Sequence, residues 1–209
     1  GDDPVALEVA NSGFSPVVAF GKQKNNDAII SNFETKTDGN CSVFTLDYQN
    51  RSFPLKIPLM GEFNAFNATA VSLMALNEGL TIEEIQKSLL TFKNVRRRLQ
   101  LISTSEKNMV FDDFAHHPTA IQATIGAVRK KWPNHRIHAV FEARSNTSVR
   151  KFHQDRMAQV FSEADHVIFY KLHREAKIAP EDRLDLDQVV LQLRNMKKKA
   201  HLIKDLNDI

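Results

Sequence analysis

The sequence predicts an α/β protein in two parts: a β-rich segment closed by two helices, then a Rossmann-like domain built on a mostly parallel sheet. Two observations carry this. Up to about residue 60, short β-prone runs are separated by turn residues, and from about residue 95 strand-like and helix-like runs alternate one for one. Alternation of the second kind is the pattern of a parallel sheet wrapped by right-handed crossovers. The boundary falls near Lys93, giving domains of 1–94 and 95–209.

In the first part the β segments are SPVVAF, DAIISNFET, CSVFTLDY and SFPLKI, with turns at Asp38-Gly39-Asn40 and near Gln49-Asn50. An Asp-Gly step between β-rich runs signals a hairpin, because the favoured two-residue turns need positive φ. From Asn64 the apolar period lengthens to that of a helix. Phe66, Ala70, Leu73 and Leu76 fall on one stripe, and Gly79 ends it. Thr81 followed by Glu84 is a capping-box signature that opens a second helix, IEEIQKSLLTF.

The second part begins with RLQLIST and NMVF, followed by a helix from about Thr119 to Lys131 and a strand, RIHAVF. A helix in VRKFHQDRMAQVFSEA, the strand HVIFY, a helix in LDQVVLQLRNMKKK and the strand AHLIK complete it. Ligands of such sheets sit beyond the carboxyl ends of the strands. The strand-to-helix loops Asp112 to Pro118, Glu142 to Thr147 and Lys171 to Ala179 are therefore the places for a site.

Composition narrows the function classes. Cys41 is the only cysteine, which excludes an internal disulfide framework and a cysteine-clustered zinc site and suits a reducing compartment. No apolar run approaches the roughly 20 residues that span a bilayer. Gly1-Asp2-Asp3-Pro4 lacks the layout of a signal peptide and reads as an internal cut, so the expected location is the cytoplasm. Lys and Arg number 28 against 25 Asp and Glu, a net charge of +3. The clusters Arg129-Lys130-Lys131 and Lys197-Lys198-Lys199 end predicted helices, where cations suit the helix dipole. No aromatic platform is interleaved with them, which argues against nucleic acid. Arg96-Arg97-Arg98 differs, because it sits at the junction of the two parts.

The richest loop is VFDDFAHHPTAI, where Asp112, Asp113, His116 and His117 lie within six residues. Pro118 suits the first turn of the following helix, whose exposed N–H groups favour anions. Two other readings of this loop stand beside an anion site. One Asp could simply cap the helix while one His is a satisfied buried group, or the four could ligate a metal for hydrolysis. The metal reading needs further ligands, and His138, His153, His166 and His173 show no recognisable spacing. His153 falls in a helical pattern, as a surface or packing residue. In GEFNAFNATA, Gly61 precedes a helix whose first turn carries Asn64 and Asn67. An asparagine amide supplies the donor and acceptor that read an adenine edge. The plainer reading makes Asn64 the N-cap and Asn67 an exposed polar residue.

GEFNAFNATA, FKNVRRRLQ, VFDDFAHHPTAI and FEARSNT, in this order, resemble the successive signatures of the Mur ligase family, from about Leu59 through Tyr170. DDFAHHPTAI with FEARSNT resembles the branch that adds a preformed peptide. The branch that adds L-alanine typically has a tyrosine and further arginines in the second motif. The resemblance implies a three-domain ligase that uses ATP to join L-alanyl-γ-D-glutamyl-meso-diaminopimelate to UDP-N-acetylmuramate through an acyl phosphate. It makes 1–94 the tail of the central ATP-binding domain and 95–209 the C-terminal domain, incomplete at its end. None of the seven glycines falls in a G-x-x-x-x-G-K-[ST] phosphate loop. The phosphate cradle and most ligands of the Mg2+ that accompanies ATP are thus expected in the rest of the same polypeptide, and the chain alone is expected to be inactive.

Carried over to matching positions, the resemblance implies that Asn67 reads adenine, with Phe63 beside it where relatives often have histidine. Arg98 would reach the ATP phosphates and Asp113 would contact the nucleotide, so that ATP helps close the domains. Arg144, Asn146 and Thr147 would meet the incoming tripeptide, with His116 lining the same cleft. Arg98 and His116 are the residues expected nearest the chemistry. Ala143 stands where relatives often have proline. The implied partners are UDP-N-acetylmuramate and the murein tripeptide, with no nucleic acid and no membrane. A third reading is a nucleotide-sensing module without catalysis.

Overall fold

In the computed structural model, which describes residues 1–36, 41–172, 177–205 and 207, the chain divides into two units, Gly1–Asn94 and Val95–Ile209. The first unit opens with a helix, α1 (Pro4–Asn11), where the sequence reading places only β structure. Asp3 caps it by accepting from the N–H groups of Val5 and Ala6 at 2.9 and 3.1 Å, and Pro4 occupies the first helical position. The Asp-Pro pair is a helix start, which a search for β patterns passes over.

Of the predicted strand SPVVAF, only its end is paired, as β1 (Phe20–Gly21). Beyond it lie β2 (Ala28–Thr35), β3 (Ser42–Tyr48) and β4 (Arg51–Ile57), in the order β1-β2-β3-β4. β1 runs parallel to β2, and the remaining pairs are antiparallel. The predicted turn at Asp38-Gly39-Asn40 lies outside the described residues. Gln49 and Asn50 close β3 onto β4 with φ of 50° and 58°, the geometry of a two-residue hairpin turn. Alternate residues face inward: Phe44 and Leu46 of β3 and Phe53, Leu55 and Ile57 of β4 are buried. Each such side chain contributes about 1.5–3 kcal/mol by leaving water.

Helix α2 (Glu62–Asn77) covers this sheet through Ala65, Ala68, Thr69, Ser72 and Leu73. The buried stripe is therefore rotated from the predicted Phe66, Ala70, Leu73 and Leu76. Small residues let the helix lie close to the sheet, and Phe66 packs at the margin against Phe20, ring centroids 6.4 Å apart. Helix α3 (Ile82–Leu90) begins with the predicted capping box of Thr81 and Glu84. The Gln86 side chain accepts from the Lys56 N–H at 2.8 Å and donates to its C=O at 2.9 Å. It occupies part of the free edge of β4 as a neighbouring strand would.

In the second unit β5 (Gln100–Thr104) and β6 (Met109–Asp112) form an antiparallel ribbon of their own. Helix α4 (Pro118–Lys131) leads to a three-stranded parallel sheet, β7 (His138–Glu142), β8 (His166–Tyr170) and β9 (Lys199–Ile203), in chain order. The crossovers are α5 (Gln154–Val160), entered through a 3-10 turn at Lys151–His153, and α6 (Leu186–Asn195). One core unites the helices with the sheet: Ile121 and Ile125 of α4, Met157 and Val160 of α5, and Val189 and Leu193 of α6 meet Phe141, Val167 and Phe169. Phe141, Phe161 and Phe169 stack edge to face at 5.2–6.2 Å, an arrangement that the ring quadrupoles favour. The mixed α/β class with a parallel sheet is as predicted. No helix among the described residues is long and apolar enough to cross a membrane.

Candidate functional site

In the first unit, the candidate residues cluster at the start of α2. Gly61, with φ 92°, precedes the helix and gives it no side-chain cap. Because the helix starts at Glu62, Asn64 sits inside its first turn and is not the N-cap. Its amide instead donates to the Met60 carbonyl at 2.8 Å. Asn67 is exposed, with its amide nitrogen 3.4 Å from Asn64 Oδ1. Phe63 lies one helical turn before Asn67, so the half-buried ring and the exposed amide share one face of α2.

In the second unit, the VFDDFAHHPTAI loop follows β6, which belongs to the ribbon and not to the parallel sheet. His117, not an aspartate, is the N-cap of α4: its Nδ1 accepts from the Thr119 N–H at 3.3 Å. That bond requires the tautomer with Nδ1 unprotonated. The aspartates turn the other way. Asp113 accepts from the Leu99 N–H through one oxygen and from the Ala115 N–H through the other, both at 2.7 Å, with Thr124 Oγ1 at 3.4 Å. Asp112 lies 3.4 Å from Arg97 Nε.

The same loop grips the arginine turn from a second side. Phe114 N–H donates to the Arg97 carbonyl at 2.8 Å, and the Arg97 guanidinium sits 4.9 Å over the Phe114 ring. Arg97 and Leu99 both have positive φ, 59° and 45°, and Arg98 lies exposed between them. Side-chain-bearing residues in this region cost about 1–3 kcal/mol each and persist where their surroundings hold them. Leu99 is held by its bond to Asp113 and by burial of its side chain. His116 is exposed, with Nδ1 3.0 Å from the Phe114 carbonyl and its ring edge-on to Phe114 at 5.1 Å.

The FEARSNT loop leaves β7 through Ala143, which is fully buried. Ser145 and Ser148 then lock its backbone reciprocally. Ser145 N–H donates to Ser148 Oγ at 3.0 Å, Ser148 N–H donates to Ser145 Oγ at 3.1 Å, and the hydroxyls meet at 2.8 Å. Arg144, Asn146 and Thr147 are left exposed on this rigid turn. Arg144 Nε stands 3.7 Å from Glu142 Oε1, a solvated pair that holds the guanidinium only weakly. Part of the third predicted loop, residues 173–176 with His173, lies outside the described residues.

One neighbour of the VFDDFAHHPTAI loop is hidden in the sequence. His153, read as a surface or packing residue, sits at the entry to α5 and meets His117 edge to face, ring centroids 4.8 Å apart. Burial holds its imidazole below the ordinary histidine range, and the nearby charges of His117 and Arg156 push the same way. The available signal is its place at the start of the helix that follows FEARSNT. His138, His166 and His201 gather elsewhere, on one face of the parallel sheet, with centroids 5.3 and 5.1 Å apart. Among the described residues, no group of three or more His, Cys, Asp or Glu is placed to hold a metal ion. The structure thus joins His117 to His153 and Asp113 to the Arg98 turn. Phe63 and Asn67 belong to the other unit.

Fold and site define a class before any particular protein: an α/β chain with exposed guanidinium, imidazole and amide groups on its candidate loops and at the start of α2. Comparison with known proteins places it further. The Mur ligase middle domain model matches residues 1–75, and the model of the Mur ligase, glutamate ligase domain matches residues 97–209. The chain belongs to the Mur ligase family. A UDP-N-acetylmuramate–L-alanine ligase of Lactiplantibacillus plantarum is 34% identical over 164 residues, covering 78% of this chain and 37% of that protein. Among solved structures, a UDP-N-acetylmuramate–alanine ligase of Thermotoga maritima aligns with a TM-score of 0.74 at 20% identity, over 91% of this chain and 40% of that one. A murein peptide ligase of Psychrobacter arcticus aligns with a TM-score of 0.60 at 26% identity, over 91% and 38% respectively. The chain spans about two fifths of the length of the curated relatives it matches.

Proposed function

We propose that this chain is the nucleotide-clamping and peptide-receiving portion of a cytoplasmic ATP-dependent ligase. In this reading the ligase joins L-alanyl-γ-D-glutamyl-meso-diaminopimelate to UDP-N-acetylmuramate. Residues 1–94 are the tail of the central ATP-binding domain and 95–209 most of the C-terminal domain. A free carboxylate is a poor acyl donor, so the muramoyl carboxylate is first phosphorylated by ATP. The peptide amine then attacks the acyl phosphate and releases phosphate. The protein's task is to position the reactants and stabilise charge on the transferred phosphoryl group. Asn67 and Phe63 serve the adenine, Arg98 and Asp113 the phosphate side, and Arg144, Asn146, Thr147 and His116 the peptide.

The observation that supports this most is the FEARSNT turn, where the paired serines hold the backbone and leave Arg144, Asn146 and Thr147 exposed. A guanidinium is the natural partner of the carboxylates that a glutamyl-diaminopimelate peptide carries, and L-alanine offers only one. The exposed groups fit contacts to a nucleotide edge, a phosphate and a carboxylate. They do not include a magnesium shell among the described residues, so the ligands of Mg2+ are assigned to the remainder of the polypeptide, with the phosphate loop.

The relatives named for L-alanine addition favour a second reading, in which the amine substrate is L-alanine. ADP release by the full polypeptide, with UDP-N-acetylmuramate and either the tripeptide or L-alanine, separates them. We expect turnover with the tripeptide and little with L-alanine. The reverse preference assigns the chain to the alanine-adding branch, and a polypeptide without a phosphate loop ends the catalytic reading.

A further inference from the structure

We infer that Gln154 is a positioning residue for the peptide-receiving FEARSNT turn, stapling the segment before α6 to the entry of α5. The inference rests on the proposed placement of Arg144, Asn146 and Thr147 at the incoming peptide.

The turn is anchored differently at its two ends. On the β7 side Ala143 is buried, and Ser145 and Ser148 lock each other. On the other side the chain runs through Val149 and Arg150 into the 3-10 turn and α5, and among the described residues neither of these starts has a side-chain cap. A second segment, residues 182–185, holds it there. Leu184 N–H donates to the Val149 carbonyl at 3.0 Å, Arg150 and Arg183 form an antiparallel bridge, and Arg150 Nη1 lies 3.4 Å from Asp182 Oδ2. That ion pair is solvated and adds little.

Gln154 closes the contact. Its Oε1 accepts from the Asp185 N–H at 2.8 Å and its Nε2 donates to the Asp185 carbonyl at 3.1 Å, so one side chain meets both backbone groups of a residue 31 positions away. Asp185 is in turn the N-cap of α6, where its Oδ1 accepts from the Gln188 N–H at 2.9 Å. The amide thus joins the start of α5 to the start of α6. These helices follow the carboxyl ends of β7 and β8, the side on which ligands of a parallel sheet sit. The frame reaches the exposed residues through the backbone, because Arg150 N–H donates to the Thr147 carbonyl and Val149 N–H to that of Ser145, both at 3.2 Å. Removing the amide breaks two bonds at once and loosens the carboxyl half of the turn.

The test is KM for the tripeptide and for ATP in the full-length enzyme. Gln154→Met keeps the length of the side chain and drops both bonds. It is expected to raise KM for the tripeptide about fivefold and leave that for ATP unchanged. Gln154→Glu keeps the acceptor and loses the donor, so it should recover part of the loss. In an Arg144→Ala background the effect of Gln154→Met should shrink to less than about twofold, because coupled residues do not add. A fivefold loss in both backgrounds, an unchanged KM for the tripeptide, or an equal rise in both KM values overturns the inference. A normal KM for the tripeptide in Arg144→Ala alone overturns the peptide reading beneath it, so the two failures are distinct. In Gln154→Met the Asp185 amide should also exchange with solvent faster while the β7–β9 amides keep their protection, and an unchanged Asp185 amide overturns the inference. If Gln154→Met fails to fold, Gln154→Glu carries the kinetic cycle.

Discussion

The His153 imidazole stands edge-on to that of His117, ring centroids 4.8 Å apart, and so ties the entry of α5 to the N-cap of α4. Burial first, then the charges of His117 and Arg156, lower the His153 pKa from its ordinary 6.5. A histidine whose folded pKa is depressed stabilises the fold fully above its unfolded value, and that stability is lost as pH falls through it. His166 is lowered in the same direction, by burial and then by His138, His201 and Lys199. The unfolding midpoint should therefore drop as pH falls below about 6.5, and the slope should flatten in His166→Gln. An NMR titration should place the His153 midpoint below 6.5, shifted upward in His117→Asn. A midpoint at or above the ordinary value would contradict this account.

Arg129 is the main tie at the amino end of the parallel sheet. It donates to the carbonyls of Pro133, His135 and Glu163 at 2.8–3.3 Å and to Asp165 at 2.6 Å, while Asp165 accepts from the Ile137 N–H at 2.8 Å. Arg129→Ala should cost about 2–3 kcal/mol in a denaturant titration, because charged hydrogen bonds are lost together. Lysine at this position should recover less than half, lacking the planar fork that reaches several acceptors. A loss within error of zero would show the network to be ornamental.

The buried face of α2 carries two hydroxyls, Thr69 Oγ1 and Ser72 Oγ, with no hydrogen-bond partner among the described residues. Thr69→Val keeps the shape and removes one unsatisfied group, so it should stabilise the first unit by about 1 kcal/mol. Destabilisation measured by thermal unfolding would mean that the hydroxyl has a partner in solution.

The proposed roles separate kinetically in the full-length enzyme. Asn67→Ala should raise KM for ATP about tenfold and leave KM for the peptide unchanged. Arg144→Ala should do the reverse, by a similar factor for a lost charged hydrogen bond. A normal KM for tripeptide in the Arg144 variant would remove that residue from the substrate site.

Much of the local structure is legible in the sequence because local rules write it. Thr81 with Glu84 announces its capping box, Pro118 marks the first turn of α4, and the alternation of β7, α5, β8, α6 and β9 carries the parallel sheet. The errors share one cause: each concerns which of several locally acceptable partners a group takes. Asp112 and Asp113 are good helix caps by composition, yet His117 takes that position. Asn64 is a good N-cap, yet Gly61 starts the helix earlier. The stripe of α2 is rotated because the sheet selects small residues, which a period alone does not specify.

By itself, then, the sequence determined the α/β class, the order of the elements beyond α1 and the family signatures, since these depend on spacing along the chain. Tertiary structure alone decided that Asp113 spends its carboxylate on Leu99 and Ala115, and that His153 meets His117. Those pairs lie 14 and 36 positions apart for Asp113–Leu99 and His117–His153. Only the packing of α4 against α5, and of the arginine turn against the loop, brings such groups within reach. No periodicity records that.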